Sequence, residues 1–279
     1  MKTGKGNITR MNSSLVLLFL LLAQSSSVPD WENPEVFERH REAPHASYVP
    51  YDTVDAALAG DPRRSPYYVS LNGTWKFHWV PKPAERPVDF HRDDFDVGDW
   101  GDITVPGNWE LQGHGIPIYV DSVLPFADEP EPPFVDHENN PVGSYRRNFT
   151  VPENWGGGEV YLHFAGVRSA MYVWVNGEEV GYSEGSKTPA EFRIAPYLRS
   201  GENTLAVEVY RWSDGSYLED IDTWRVSGIE RDVFLFFTFG KQCRQLERLL
   251  GRHLRERPAP GRLHLGLGGS GSSQVHRRR

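Results

Sequence analysis

The residues that could carry chemistry are concentrated between Arg211 and Asp232, in the stretch RWSDGSYLEDIDTWRVSGIERD. Carboxylate oxygens accept hydrogen bonds from sugar hydroxyls and also bind hard cations, and the face of a tryptophan offers flat apolar area to a ligand. An ordinary loop with solvated carboxylates and two core tryptophans would have the same composition, so both interpretations stay open on chemistry alone. The stretch holds four carboxylates and two tryptophans within thirteen residues: Asp214, Glu219, Asp220, Asp222, Trp212 and Trp224.

Runs that alternate apolar and polar residues lie on both sides of this stretch, and a loop between two strands of one sheet is where binding residues are often found. Similar runs recur upstream with turn signals between them, of which Asn176-Gly177 is the strongest. Many short strands, with no long helix and no β–α–β alternation, predict an all-β antiparallel sandwich from about Tyr67 to Phe237. The predicted strands are 75–80, 102–105, 116–120, 144–151, 160–165, 170–175, 178–182, 190–194, 204–210 and 233–237.

The alternation also predicts which side chains lie inside the sandwich, because residues two apart on a strand share one face. One short helical turn, Val54–Ala59, is expected before the first strand, since Gly60 and Pro62 would end it. The side chains predicted to be buried are Trp75, Phe77, Phe164, Val173, Val175, Leu205, Val207 and Val233.

Several motifs, in a consistent order, make residues 30–237 similar to the N-terminal sugar-binding domain of bacterial-type β-galactosidases. These enzymes belong to a large family of retaining glycoside hydrolases that also includes the β-glucuronidases. The resemblance implies a jelly-roll sandwich that binds galactosides. Besides the acidic stretch, the motifs that carry it are Trp31-Glu32-Asn33-Pro34, Leu71-Asn72-Gly73-Thr74-Trp75, Val105-Pro106-Gly107-Asn108-Trp109, Pro117-Ile118-Tyr119, Asn176-Gly177 and Gly201-Glu202-Asn203.

The resemblance assigns roles to three residues. Asp222 matches the family aspartate that reaches the galactose and coordinates a sodium ion. Asp121 stands where the family has a sugar-binding asparagine, and since a carboxylate only accepts hydrogen bonds whereas an amide also donates, this difference bears on ligand specificity. Trp224, beside Asp222, is the tryptophan best placed to face a sugar, although a core position is an equal alternative. Trp174 lies in an apolar run and is expected in the core.

The two catalytic glutamates of the family, and its magnesium ligands, lie in a barrel that would follow residue 237. Retaining hydrolysis needs a pair of carboxyl groups across the scissile bond, and no residue of this chain matches either one. The chain is therefore expected to be inactive by itself, as the N-terminal part of a secreted β-galactosidase whose barrel is supplied in cis or in trans. Two alternatives stay open: a lectin-like module that binds galactosides without cleaving them, and a fragment that complements a separate catalytic chain.

The two ends differ from the predicted sandwich in composition. Basic residues precede the apolar run 15–23, which predicts a secretory signal peptide over residues 1–27, followed by an extended arm over 28–66 and the sugar-binding domain over 67–238. The run is too short for an ordinary membrane span. Residues 239–279, rich in Arg, Leu and Gly, are expected to form a disordered or helical basic tail. An ending of this composition, which begins where the family similarity stops, is also typical of a shifted reading frame.

Charge and cysteine content exclude some classes of function. The whole chain carries a net charge of −8, whereas the last 39 residues have ten Lys or Arg and two Asp or Glu, so residues 1–240 carry −16. A body this acidic argues against nucleic-acid binding. Cys243 is the sole cysteine, so the core must be stable without an intrachain disulfide even in a secreted protein.

Overall fold

The computed structural model describes residues 28–120, 124–126, 129–219 and 222–239. The chain divides into two units, Met1–Phe237 and Thr238–Arg279, and the account below concerns the first. Nearly all of its regular structure is β. The strands are β1 (Glu38–Arg39), β2 (Tyr68–Ser70), β3 (Gly73–Val80), β4 (Gly101–Val105), β5 (Val142–Thr150), β6 (Glu159–Phe164), β7 (Val167–Arg168), β8 (Ala170–Val175), β9 (Glu178–Ser183), β10 (Ala190–Arg193), β11 (Glu202–Tyr210), β12 (Gly228–Ile229) and β13 (Val233–Thr238).

The strands form a two-sheet antiparallel sandwich of jelly-roll type, which confirms the predicted fold class. The large sheet has the strand order β1-β9-β8-β11-β5-β3-β4, and the small sheet has the order β10-β6-β13-β2. A separate two-stranded pair joins β12 to β7. Strands that are distant in sequence, such as β5 and β11, pair along their whole lengths, so the sheets depend on long-range contacts.

The core lies between the two sheets and is built by the period-two alternation of each strand. On β11, Leu205 and Val207 face the core, and β6 and β13 contribute Leu162 and Leu235 from the small sheet. All eight side chains predicted to be inside are buried, namely Trp75, Phe77, Phe164, Val173, Val175, Leu205, Val207 and Val233.

The outer face of the large sheet is also covered. Tyr210, at the end of β11, stacks on Trp31 of the N-terminal arm with ring centroids 5.1 Å apart, and Phe126 packs against Trp212 at 5.1 Å. Trp174 points to this outer face, where it is half-buried and stacks on His91 at 5.2 Å. It therefore lies under the connection between β3 and β4, whereas the sequence predicted the core.

The N-terminal arm crosses from one sheet to the other along the open side of the sandwich. Its strand β1 pairs with β9 at the edge of the large sheet. Arg41 then forms a bridge with Phe192 of β10, and the Glu42 amide donates to the Glu191 carbonyl at 2.8 Å. These bonds satisfy backbone groups that an edge strand would otherwise expose. The helix α1 (Val54–Ala59) follows with the bounds that the sequence predicted.

One predicted strand is wrong. Residues 116–120 make a single bridge, Ile118 to Arg225, instead of a continuous ladder. Pro117 lacks the amide hydrogen that a ladder needs, and Gly115 before it has a φ of +80°, which turns the chain away from an extended path.

Among the described residues, no helix has the length and apolar character to cross a membrane.

Candidate functional site

The residues of the predicted sugar site lie on two segments that one backbone bridge holds side by side. The Arg225 amide donates to the Ile118 carbonyl at 2.7 Å. Tyr119, which follows Ile118, and Trp224, which precedes Arg225, therefore come together. Their ring centroids are 5.3 Å apart. The Tyr119 hydroxyl donates to Asp222 Oδ1 at 2.9 Å. A carboxylate and two aromatic rings therefore form one cluster.

This cluster is open to solvent. Asp222 is exposed, and the exposed fractions of Tyr119 and Trp224 are 54% and 55%. Two large aromatic rings exposed side by side are typical of a surface that binds a ligand or a partner. The bond to Asp222 raises the pKa of Tyr119, because a nearby carboxylate disfavours the phenolate. The hydroxyl therefore stays protonated and donating at neutral pH.

Buried arginines hold the two segments from below. Arg211 donates to the carbonyls of Ile116 at 2.9 Å and Arg225 at 3.0 Å. Arg168, on β7, donates to the Trp224 carbonyl at 3.1 Å, and the pairing of β7 with β12 brings it there. Each guanidinium thus satisfies loop carbonyls that no sheet partner reaches, and so fixes the path of both segments.

The charge of Arg211 is balanced by a buried glutamate. Glu110 Oε1 lies 3.7 Å from Arg211 Nη2, and Glu110 Oε2 accepts the Ser227 amide at 2.8 Å. Burial raises the pKa of Glu110, while the Ser227 amide and Arg211 oppose that rise. Burial also lowers the pKa of Arg211, and Glu110 opposes that change. The pair is a structural ion pair beneath the open cluster.

Among the other carboxylates of the acidic stretch, Asp214 and Glu219 bind groups outside the cluster, and Asp220 lies outside the described residues. Glu219 accepts both the amide of Ser186, at 2.6 Å, and its hydroxyl. Asp214 is buried and hydrogen-bonds to Glu184, which also accepts the Tyr182 hydroxyl. Burial, together with the hydrogen bond to Asp214, raises the pKa of Glu184 to about 9. These residues fasten the turn 214–217 to the loop after β9, which is a structural role.

The structure brings together two of the three predicted site residues, Asp222 and Trp224. Asp121 lies outside the described residues. Tyr119 is a member of the cluster that sequence reasoning did not single out, although its Pro-Ile-Tyr motif was noticed. Trp212 is buried at 4% exposure and packs on the Arg211 guanidinium, 5.0 Å from the ring centroid, so it belongs to the support.

The described residues supply only part of a sodium site. A hard cation takes roughly six oxygen ligands in a protein. Asp222 offers a carboxylate of suitable chemistry, but among the described residues no three His, Cys, Asp or Glu side chains come together as a metal site. Asp222 can therefore provide one ligand, and the other oxygens would have to come from elsewhere.

A groove of about 600 Å³ lies next to the turn 214–217. Its lining includes Phe37 of the arm and Leu218, whose exposed fractions are 56% and 91%. Pro132 and Pro133 form another part of it, and Glu219 is shared with the small pocket around Arg168 and Arg225. Residues 214–219, which precede Asp222, thus also border a largely apolar groove.

The comparisons with known proteins identify the domain that carries this cluster. Residues 68–238 match the sugar-binding domain of glycosyl hydrolases family 2. A beta-galactosidase of Priestia megaterium is 50% identical over 223 residues, which is 79% of this chain and 22% of that protein. A beta-galactosidase of Halalkalibacterium halodurans is 46% identical over 213 residues, which is 76% of this chain and 21% of that protein.

Solved structures of the family are also similar to the chain. Beta-glucuronidase 2 of Bacteroides uniformis matches with a TM-score of 0.46 and 25% identity, over 61% of this chain and 18% of that chain. The chain spans about a fifth of the length of the curated relatives it matches. The family match covers more than half of the chain and includes every strand of the sandwich except β1. The chain belongs to family 2 of the glycosyl hydrolases, as a bearer of its sugar-binding domain.

Proposed function

We propose that this domain forms one wall of the galactoside site of a family 2 β-galactosidase. Asp222 would accept hydrogen bonds from galactose hydroxyls, and Trp224 would cover an apolar face of the sugar. Asp121, next to the Tyr119 segment in sequence, would add a second acceptor. The observation that carries this proposal is the exposed cluster in which Tyr119 holds Asp222 at 2.9 Å beside Trp224, because sugars are bound by carboxylates flanked by aromatic rings.

The test is calorimetry of the full chain with lactose and galactose. We expect millimolar affinity, worth about −4 kcal/mol, since the domain offers one wall of a pocket. Asp222→Asn should abolish the measured binding, whereas Asp99→Asn, an exposed carboxylate between β3 and β4, should leave it unchanged. Equal affinity of Asp222→Asn and wild type would exclude the assigned role. Micromolar affinity of the wild type would instead favour the free-standing lectin-like module.

We also propose that the chain alone does not hydrolyse galactosides. A retaining hydrolase holds its two carboxyl groups about 5 Å apart with the glycosidic bond between them. Glu184 has the raised pKa typical of an acid catalyst, but it is hydrogen-bonded directly to Asp214, which leaves no room for a sugar between the two. Release of o-nitrophenol from its β-galactoside by the purified chain, lost on substituting Glu184 or Asp214, would contradict this proposal.

The apolar groove beside the site supports a polypeptide partner, which we propose to be the remainder of a full-length family enzyme. Curated relatives continue well beyond the region that this chain matches. Exposed Phe37 and Leu218 are of the kind that a protein interface buries. The catalytic carboxylates would then be supplied by the same partner, in cis or in trans. Restored activity on mixing with a barrel-containing fragment, weakened by Leu218→Asp and unaffected by Leu58→Asp, would support this arrangement.

We also propose that Asp222 binds a sodium ion and that the protein is secreted. Asp222 would give one carboxylate oxygen to a sodium ion, which would in turn orient a galactose hydroxyl. Lactose affinity should therefore be higher in sodium chloride than in tetramethylammonium chloride at equal ionic strength, and this difference should vanish in Asp222→Asn.

The predicted signal peptide, residues 1–27, lies outside the described residues. Its cleavage after export from an expression host, read by N-terminal sequencing, tests the secreted location.

A further inference from the structure

His45 lies where the N-terminal arm crosses the small sheet. Its Nε2 is 2.7 Å from Glu191 Oε2, and its Nδ1 is 2.8 Å from the Ala46 carbonyl oxygen. The second oxygen of Glu191, Oε1, is 2.8 Å from Nδ1 of His163 on β6. Glu191 itself lies on β10 and is buried. One buried carboxyl group thus joins the arm to two strands of the small sheet.

The two contacts of His45 require an additional proton. A neutral imidazole has one N–H, whereas a carbonyl oxygen and an ionised carboxylate are both acceptors. Both contacts can be hydrogen bonds only if His45 is an imidazolium or if Glu191 is protonated. In either case the docked pair holds one proton more than a neutral histidine and a carboxylate. Burial raises the pKa of Glu191, but the bonds from His163 and His45 outweigh it and lower that pKa, which favours the proton on the imidazole.

Several other titratable groups lie on the elements packed against His45 and Glu191. β10 contributes Glu191 and Arg193, and Arg193 is paired with Glu159 of β6. β6 also contributes His163 and Tyr161, while the facing residues of β13 are Phe234 and Phe236. On the arm, the titratable neighbours of His45 in sequence are Arg41, Glu42 and Tyr48, and the Tyr48 ring lies 5.8 Å from that of His45.

We propose that His45 is a proton-dependent latch that fastens the N-terminal arm across the edges of both sheets. Docking favours the doubly protonated ring, so the docked arm keeps its proton to a higher pH than a free histidine, which titrates near 6.5. The free energy that the latch contributes to docking of the arm is fully present below that pH. It is lost as the pH rises through the titration of the His45–Glu191 pair. Loosening of residues 41–48 would uncover the edge of β10.

The test is hydrogen–deuterium exchange of the full chain between pH 5.5 and 8.5, corrected for the intrinsic pH dependence of exchange. In the wild type, protection of the Glu42 amide should fall with rising pH, by up to about tenfold per pH unit for a one-proton linkage. Core amides on β11 should stay protected throughout. In His45→Gln, whose amide can donate hydrogen bonds but cannot gain a proton, the protection of the Glu42 amide should not depend on pH.

His40→Asn is the matched control, because His40 lies on the same arm and its ring contacts the Val180 carbonyl, at 3.3 Å, instead of a carboxylate. Asparagine also tolerates the positive φ of 53° at that position. This variant should keep the pH dependence of the wild type. Two results would overturn the proposal. One is protection of the Glu42 amide that does not depend on pH in the wild type. The other is the wild-type pH dependence of that protection in His45→Gln, with the β11 amides of this variant still protected.

Discussion

Two groups of carboxylates in this protein have opposite roles, although Asp214, Glu219 and Asp222 lie in the same stretch of chain. Asp214 and Glu219 are bound to neighbouring loops, and Glu110 is buried against Arg211. Asp222, three residues after Glu219, is exposed and accepts the hydroxyl of Tyr119. Residue type therefore does not identify a binding carboxylate. Full or partial burial separates the charges that hold the loops from the charge that remains accessible to a ligand.

The largest effect on stability is expected from removing a buried charge. In Arg211→Met, two loop carbonyls lose their donor and Glu110 is left without its cation. Breaking one side of a buried ion pair costs about 3 kcal/mol, so the free energy of unfolding, measured with urea at pH 7, should fall by that amount. Arg231→Met, at an exposed position, should change it by less than about 0.5 kcal/mol. Equal effects of both variants would show that burial does not distinguish these charges.

A smaller effect of opposite sign is expected at Glu184. Its pKa is about 9 in the fold, against an ordinary value of 4.5. Between those values the unfolded chain releases the proton and the folded chain keeps it, so the wild type loses stability as the pH rises. Glu184→Gln cannot ionise and should be more stable than the wild type by about 2 kcal/mol at pH 6, with little difference near pH 4.5.

Urea unfolding at pH 4.5 and pH 6 provides the measurement. Glu178→Gln, at an exposed position on β9, should follow the wild type at both pH values. If Glu184→Gln has the same pH dependence of stability as the wild type, then the buried carboxyl is not held neutral, and the contrast between buried and exposed acids is weaker than we infer.

The smallest effect on stability is expected in the open cluster. Tyr119→Phe keeps the ring against Trp224 but removes the donor to Asp222. Because both groups are exposed, the free energy of unfolding should change by less than about 0.5 kcal/mol. Galactoside affinity should fall a few-fold, since Asp222 would no longer be held in one orientation. A loss of stability like that of Arg211→Met would mean that the cluster is structural.

The sequence by itself determined the class of fold and most of the core. Alternation on β3, β8 and β11 requires one apolar face per strand, and this requirement is local, so Trp75, Val173 and Leu205 could be placed inside correctly. The family motifs also pointed to Asp222 and Trp224 as neighbours of a sugar. The same local reasoning failed for residues 116–120, where one bridge replaces a ladder, and for Trp174, whose outward strand position is covered by a distant connection.

Tertiary structure alone decided which carboxylates are buried and which residue accompanies Asp222. Tyr119 and Asp222 are 103 positions apart, and they meet because Arg211 and Arg168 fix two loops from beneath. His45 and Glu191 are separated by 146 positions, and they meet only because the arm crosses β10. Contacts of this kind have no periodic signal in the sequence, since they depend on how whole strands pair and on which loop carbonyls each buried arginine reaches.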